Sequence, residues 1–364
     1  MKSIVRILSA SALLILSAQA QAALPIPIYS LQTLSTPGAD YFDVTGLNNA
    51  GQLSGNVLTS DGTWHAVRWD NGVATYLDTP AGQESSAFGI NDRGLVVGTI
   101  GDASTGKAVI WNGSAPTYLP APVGGYVVAT SINDRGIVAG HAGTPRPFAV
   151  QWNGGSAVTL PFNEPYTPTT SANAINNAGQ IVGSRTYGGN SNIYPVLWSD
   201  GAQIDLQTSG NYAHALDIND GGQIVGYSIA STGGPTRMMF WDSDGTLTVG
   251  PDNSFARSIN NLGQVVGSWN GRATLWDHGA PIDLASWLSP NLTAQGWTLD
   301  YVSYINDNGL IYGGASLNGV TYGVLLSAVP EPATWQLLFP AAGFGLLIAS
   351  TRRKRLKEAN ALPA

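Results

Sequence analysis

The chain has 364 residues, a net charge of −7 and no cysteine, so disulfide bonds and thiolate metal ligands are excluded. Only 11% of the residues are charged, while 45 are glycine and 21 are proline, which favours short strands and many turns over long helices. Between residues 23 and 329 there are 21 acidic and 9 basic residues, and this excess of negative charge argues against nucleic acid as a partner.

Residues 1–22 have the three parts of a secretory signal peptide. Two basic residues precede an apolar run from Ile7 to Leu16, and a pattern of small residues follows the run. The run is too short to span a bilayer, which argues against a permanent N-terminal anchor. We therefore expect an exported protein that is cleaved after Ala20 or Ala22.

One motif then recurs seven times with no change in its internal spacing. Each copy has an Asn, a first glycine three residues later and a second glycine four residues after that. Successive copies lie 41 to 46 residues apart, which is the length of a propeller blade. We number the copies repeats 1 to 7. Their turn Asn residues are Asn48, Asn91, Asn133, Asn176, Asn219, Asn260 and Asn306.

Each repeat is predicted to contain four short strands. The Asn and the first glycine close a tight turn between the first two strands, because Asn bonds its own turn backbone and glycine accepts a positive φ. The second glycine marks a bulge or a close backbone approach. In six repeats the third strand ends in a tryptophan that is predicted to pack between blades. These residues are Trp69, Trp111, Trp152, Trp198, Trp241 and Trp276.

The strand count predicts how the array closes. Repeat 7 has no fourth strand of its own, whereas residues 28–34 have the pattern of a strand and precede repeat 1. We expect this segment to complete the last blade. The predicted fold is therefore all-β, a seven-bladed β-propeller of four-stranded blades over residues 23–328. An open β-solenoid is the alternative.

The motif resembles the HAF repeat family of extracellular proteins, whose core reads Ala-Ile-Asn followed by Gly-Gln-Ile-Val-Gly. Residues 174–183 are the clearest copy, and the resemblance covers roughly residues 41 to 326. It implies a repeat architecture and export, and no agreed activity follows from it.

The chemistry-bearing residues of the repeats do not form a known catalytic motif. The four histidines, His65, His141, His214 and His278, lie in different repeats without metal-ligand spacing, and we expect ordinary loop or hydrogen-bonded roles for them. We predict a protein that is not an enzyme, with no catalytic residue and no cofactor.

Acidic residues follow the turn Asn in four repeats, as Asp92, Asp134, Asp220 and Asp307. Asn takes that position in the other three, which favours turn formation over calcium binding. Residues 242–245 resemble a calcium loop, but the Glu that ends an EF-hand loop is missing. Turn chemistry is therefore the preferred interpretation, and no metal site is predicted.

Four tryptophans, Trp64, Trp269, Trp287 and Trp297, lie outside the repeated position. Amphipathic aromatic rings can stack on the flat faces of sugars, so these residues are candidates for glycan contact, with ordinary packing as the alternative. Extracellular polysaccharide is accordingly a candidate partner.

Residues 329–357 contain a motif, an apolar segment and a basic tail in that order. The motif is Val329, Pro330, Glu331 and Pro332, and the tail at 352–357 begins with the stop-transfer cluster Arg352, Arg353, Lys354 and Arg355. A helix over residues 335–350 would reach about 24 Å across an apolar core of about 30 Å, so it is a marginal anchor. The basic cluster is expected to stay in the cytoplasm.

This order resembles the PEP-CTERM sorting signals of Gram-negative bacteria. The resemblance implies processing at or near residues 329–332 by exosortase, a membrane-embedded cysteine transpeptidase, after transient retention in the inner membrane. It also implies an association with exopolysaccharide and biofilm. A plain C-terminal transmembrane anchor is the alternative.

Together these features predict an exosortase-sorted protein of the cell surface or extracellular matrix with a non-catalytic binding or structural role. The alternative is an extracellular hydrolase or lyase that acts on polysaccharide from a propeller scaffold, because a fold alone does not imply a function.

Overall fold

Short antiparallel strands make up most of the described part of the chain. The computed structural model describes residues 28–102, 104–122, 125–163, 169–186, 192–231 and 233–329. The predicted signal peptide and the segment from Pro330 onward, which includes the predicted membrane helix at 335–350, lie outside the described residues. Within the described ranges, no helix is long and apolar enough to cross a membrane.

The strands follow the repeats in chain order. The first strand, β1 (Ile28–Thr33), precedes repeat 1. Repeats 1 and 2 contain β2 (Ala39–Leu47), β3 (Leu53–Thr59), β4 (Trp64–Asp70), β5 (Val73–Tyr76), β6 (Ser85–Ile90), β7 (Val96–Ile100), β8 (Lys107–Asn112) and β9 (Ala115–Tyr118). Repeats 3 and 4 contain β10 (Val127–Ile132), β11 (Val138–Ala142), β12 (Phe148–Asn153), β13 (Ser156–Thr159), β14 (Thr169–Ile175), β15 (Ile181–Thr186), β16 (Ile193–Ser199) and β17 (Ala202–Asp205).

Repeats 5 to 7 continue the same order. They contain β18 (Tyr212–Ile218), β19 (Ile224–Ile229), β20 (Thr236–Trp241), β21 (Leu247–Asp252), β22 (Ser254–Ile259), β23 (Val265–Trp269), β24 (Arg272–Asp277), β25 (Ala280–Asp283), β26 (Thr298–Ile305), β27 (Ile311–Leu317) and β28 (Val320–Val329). A 3-10 turn (Leu284–Trp287) and the short helix α1 (Pro290–Ala294) lie between β25 and β26. The helix begins at Pro290, and its N-cap Ser289 accepts the backbone N–H of Leu292.

Neighbouring strands within each repeat pair antiparallel. Repeats 1, 2, 3 and 6 each form a four-stranded sheet in chain order. Repeats 4 and 5 are joined in one eight-stranded sheet, and the link between β16 and β18 is a single parallel residue pair, Ile193 with Tyr212. The strands of repeat 7 form the remaining four-stranded sheet together with β1, in the order β1, β28, β27, β26.

The N-terminal strand therefore completes the last sheet, as the sequence predicted. The backbone N–H of Leu34 donates to the carbonyl oxygen of Gly323 at 2.8 Å, and the hydroxyls of Ser30 and Ser327 lie 2.8 Å apart. Tyr29 and Leu34 are both buried. This pairing covers an edge of β28 that would otherwise present unpaired backbone groups.

The two glycines of each repeat have different roles. The first has φ between 72° and 89° in all seven repeats, the left-handed conformation that the turn requires. The second lies opposite a β-bulge in the first strand. At Gly140, for example, the pairing register shifts between Ala129 and Ser131, and an added Cβ would overlap the carbonyl oxygen of Val128. The prediction of a close backbone approach at the second glycine is confirmed.

The repeated tryptophans lie between adjacent sheets. All six are between 0% and 4% exposed. Trp152 of repeat 3 packs with Val97 and Ala108 of repeat 2, and its Nε1 donates to the carbonyl oxygen of Pro120 at 2.8 Å. The indoles of Trp111, Trp198 and Trp241 donate to the preceding repeat in the same way. The core role predicted for these residues is confirmed.

Loss of β1 is expected to destabilise the folded unit. Deleting residues 23–34 removes the buried Tyr29 and Leu34 and exposes the edge of β28, and we expect a loss of at least about 3 kcal/mol in the free energy of unfolding. Urea denaturation measures the loss. Deleting residues 23–27 alone, which precede β1, is the control and should have little effect. Equal stability of the two truncated proteins would contradict a closing role for β1.

The second glycine of each repeat is so crowded that we expect even an added methyl group to destabilise the fold. Gly140→Ala should cost about 2 kcal/mol or more, because the overlap with Val128 cannot be relieved without moving the strand. Gly113→Ala is the matched control, since Gly113 lies at φ 68° with no atom within 4 Å of an added Cβ. It should cost about 1 kcal/mol through φ alone. Thermal unfolding compares the two, and an equal loss would refute the close approach.

Candidate functional site

The seven turn Asn residues form a closed ring of hydrogen bonds. The Nδ2 atom of each donates to the backbone carbonyl oxygen of the turn Asn in the next repeat, at 2.9 to 3.1 Å. The bond from Asn306 to Asn48 joins repeat 7 to repeat 1. All seven residues are buried. We call these bonds the inner ring.

The same side chains also hold their own turns. In every repeat the Oδ1 atom of the turn Asn accepts the backbone N–H of the residue four positions later, at 2.8 to 3.0 Å. The amide oxygen therefore acts within the repeat, while the amide nitrogen joins neighbouring repeats. In four repeats this nitrogen also donates to the Gln side chain four residues later, at Asn48, Asn176, Asn219 and Asn260. The sequence analysis identified only the local half of this arrangement.

The residues that follow the turn Asn form a second ring, which we call the outer ring. Each backbone N–H donates at 2.7 to 2.8 Å to the side-chain Oδ1 of the equivalent residue in the next repeat. The members are Asn49, Asp92, Asp134, Asn177, Asp220, Asn261 and Asp307. Asp and Asn interchange here because the position needs an acceptor oxygen, and this oxygen serves the neighbouring repeat instead of its own turn.

Charge is distributed unevenly around the outer ring. Each of its three Asn side chains donates Nδ2 to the carboxylates on both sides, at 2.8 to 3.3 Å. Asp92 and Asp134 are neighbours with no amide between them. In the described part of the chain, no three acidic or histidine side chains lie close enough together to hold a metal ion.

A cavity of about 500 Å³ is lined by the same five consecutive positions of all seven repeats, ending at the outer ring. One of these positions, three residues before the turn Asn, is the bulged residue of the first strand. It is occupied by Thr45, Phe88, Thr130, Asn173, Leu216, Arg257 and Ser303. The turn Asn is thus constant while the bulged residue varies. The sequence analysis missed these residues, although their variation between otherwise regular repeats is visible in the sequence.

A second cavity, of about 770 Å³, breaks the symmetry of the repeats. It shares Arg257 and Ser303 with the first cavity, and most of its wall comes from repeats 1, 6 and 7. Asp43, Phe255 and Tyr301 line it at one equivalent position of these three repeats. We call it the asymmetric cavity.

No family model and no curated protein matches the chain. Among solved structures it is similar to the β-propeller domain of a trilobed protease from Pyrococcus furiosus, with a TM-score of 0.50 and 11% identity over 79% of this chain and 94% of that one. The fold is a β-propeller. The ring closure and this likeness favour the propeller over an open β-solenoid.

Two further solved structures are longer than the present chain. A puromycin-hydrolysing peptidase from Mycobacterium tuberculosis matches with a TM-score of 0.51 and 12% identity over 84% of this chain and 55% of that one. TolB from Acinetobacter baumannii matches with a TM-score of 0.44 and 11% identity over 58% of this chain and 54% of that one. The propeller chain thus spans about half the length of each. At these identities the likeness concerns the fold alone.

The histidines lie in four different repeats of the propeller. The Nδ1 atom of His214 is 3.1 Å from the hydroxyl of Ser184, and its ring stacks on Tyr227 with centroids 5.0 Å apart. Burial lowers the pKa of both His141 and His214, which favours their neutral forms.

The four tryptophans proposed for glycan contact fall into two groups. Trp64 lies edge-on to Tyr41, with ring centroids 6.1 Å apart, and Tyr41 lines the asymmetric cavity. Trp269 pairs across β22 and β23 with Ser254, which also lines that cavity. Trp287 and Trp297 pack on the hydrophobic core of repeats 6 and 7, and Trp269 packs on a core cluster as well. Of the four, Trp64 and Trp269 are therefore the ones close to a cavity.

The inner ring predicts a large and specific effect of changing one turn Asn. Asn133→Ala removes the donor to Asn176 and the acceptor for the turn, and we expect a loss of about 2 to 4 kcal/mol in the free energy of unfolding. Asn133→Asp should lose as much, because a carboxylate oxygen would then face the carbonyl oxygen of Asn176. Chemical denaturation measures both. The exposed Asn112 is the control, and a loss for Asn133→Ala no larger than for Asn112→Ala would contradict the ring.

Proposed function

We propose that this propeller is an exported protein of the cell surface or extracellular matrix with a non-catalytic binding or structural role linked to exopolysaccharide. The observation that carries the proposal is the order of parts along the chain. A segment with the pattern of a secretion signal precedes the β-sheet unit, and the last strand, β28, ends at Val329, the first residue of the Val-Pro-Glu-Pro motif. A sorting motif would thus follow the folded unit with no intervening linker.

The proposal includes seven blades. The eight-stranded sheet has two four-stranded halves connected by one residue pair, so we count it as two blades. With the five four-stranded sheets this makes one blade per turn Asn, and the inner ring passes through each blade once. The blade count would then equal the repeat count.

A binding or structural role is preferred to polysaccharide hydrolysis because of how the repeated polar groups are used. All seven outer-ring side chains accept a backbone N–H from a neighbouring repeat, and the three Asn members also donate to carboxylates. A general acid and base need carboxyl groups that are available to substrate. The carboxylates of the outer ring already have structural partners.

Sorting would depend on the chemistry of the C-terminal segment. Two prolines in the motif would disfavour helix there, and an extended segment would give a membrane peptidase access to the backbone. The short apolar segment at 335–350 would hold the chain weakly in the inner membrane, while the four basic residues at 352–355 stop translocation. An exosortase-type peptidase would then release the propeller from this anchor.

Replacing Pro330, Glu331 and Pro332 together by Ala tests the sorting proposal. Export should continue, but processing should stop, because the recognition motif is gone while the signal peptide and anchor remain. Immunoblots of inner-membrane and extracellular fractions would then show the full-length chain retained in the inner membrane. Thr334→Ala, just outside the motif, is the matched control and should be processed normally. Normal shortening and release of the triple variant would overturn exosortase sorting and leave a plain membrane anchor.

A further inference from the structure

The asymmetric cavity has features that the repeat alone does not require. Five residues before each turn Asn, the first strand carries a side chain that changes around the ring. The residues at this position are Asp43, Ser86, Val128, Ser171, His214, Phe255 and Tyr301. In the consecutive repeats 6, 7 and 1 they are two aromatic rings and a carboxylate, and all three line the cavity.

A second departure from the repeat makes space for the side chain of Tyr301. The residue paired with this position on the second strand has a side chain in six repeats, as Asn56, Thr99, His141, Ser184, Tyr227 and Ser268. In repeat 7 it is Gly314, and an added Cβ there would overlap the ring of Tyr301. The missing side chain makes room for the ring, which remains 42% exposed although it is a large aromatic group.

Two ionisable groups of opposite charge face the same cavity. Arg257 lies over the ring of Phe255, 5.5 Å from its centroid, and forms no ion pair among the described residues. Asp43 lies opposite Asn56 in the strand pair, and its buried Oδ1 atom has no hydrogen-bond partner within the described part of the chain. Burial raises the pKa of Asp43. Unused donors and acceptors thus remain at the cavity wall.

We propose that the asymmetric cavity binds a ring of a neutral sugar through Asp43, Arg257, Phe255 and Tyr301. The guanidinium only donates hydrogen bonds and a carboxylate only accepts them, whereas each sugar hydroxyl does both, so neighbouring hydroxyls can satisfy both groups. The aromatic rings offer apolar faces for the C–H face of the sugar. One positive and one negative group leave little preference for a charged ligand. The volume of about 770 Å³ is ample for such a ring.

The rim of the cavity continues this aromatic surface. Tyr41 is 58% exposed and lines the cavity, and Trp64 packs edge-on against it. A longer glycan whose terminal ring occupies the cavity would meet these two side chains next. This inference rests on the proposed link to polysaccharide and names the site and the ligand class for it.

Titration of the purified full-length protein in detergent tests the site. The probes are methyl glucoside, methyl galactoside and methyl mannoside, with glucuronate as the charged comparison, and binding is measured by saturation-transfer NMR. At least one neutral glycoside should bind with a Kd of about 10 mM or tighter. Arg257→Met and Asp43→Asn should each weaken that binding by at least about tenfold. Arg272→Met is the matched control, because Arg272 is 73% exposed and paired with Asp283 at 2.6 Å, and it should bind like the unchanged protein.

The proposal is overturned if no neutral glycoside binds, if only glucuronate binds, or if Arg257→Met leaves binding unchanged while its melting temperature is normal. Arg257 is an exposed residue of the cavity wall, so its variant decides the matter even if Asp43→Asn does not fold. The result is independent of sorting. If the chain is processed normally by exosortase but binds no sugar, only the proposed sugar site is refuted. If the chain binds sugar but is not sorted, only the proposed export route is refuted.

Discussion

The carboxamide of the turn Asn is the group on which this propeller depends most. Its oxygen fixes a turn within one repeat and its nitrogen reaches the backbone of the next, as in Asn133, which accepts from Ile137 and donates to Asn176. Aspartate could supply the acceptor but not the donor. Because each bond joins two repeats, the ring is complete only when the last repeat reaches the first, and β1 provides a second connection across the same seam.

The outer ring shows the cost of an odd number of members. Alternating amides and carboxylates would place a donor between every two negative charges, but seven positions cannot alternate fully. Four Asp and three Asn leave one carboxylate pair adjacent, at Asp92 and Asp134. Backbone N–H groups donate to both carboxylates and offset part of the repulsion between them. Solvent screens these two charges further.

The regular part of this structure could be predicted from the sequence because its signals are local and repeated sevenfold. The turn at Asn176 and Gly179, the buried Trp152 and the closing strand at residues 28–34 all follow from spacing and hydrophobic pattern. The inter-repeat bonds could not be predicted, because nothing in the sequence around Asp92 indicates that its oxygen faces the backbone of Asn49. The bulged residues were missed for a similar reason: one extra residue in a strand changes which side chains line the cavity.

Binding specificity in such a ring requires that the symmetry be broken. If all seven equivalent positions carried the same side chain, identical groups would surround the cavity. A small ligand could contact only a few of these groups. The constant Asn and glycine residues hold the backbone in place, which leaves the bulged position and the position two residues before it free to vary. In this chain the variation concentrates polar and aromatic groups on one side, where Gly314 accommodates the ring of Tyr301 and Arg257 lies over Phe255. The framework residues thus lie in the turn and on the second strand, whereas the variable residues lie on the first strand. The cavity wall can therefore vary without disturbing the inner ring.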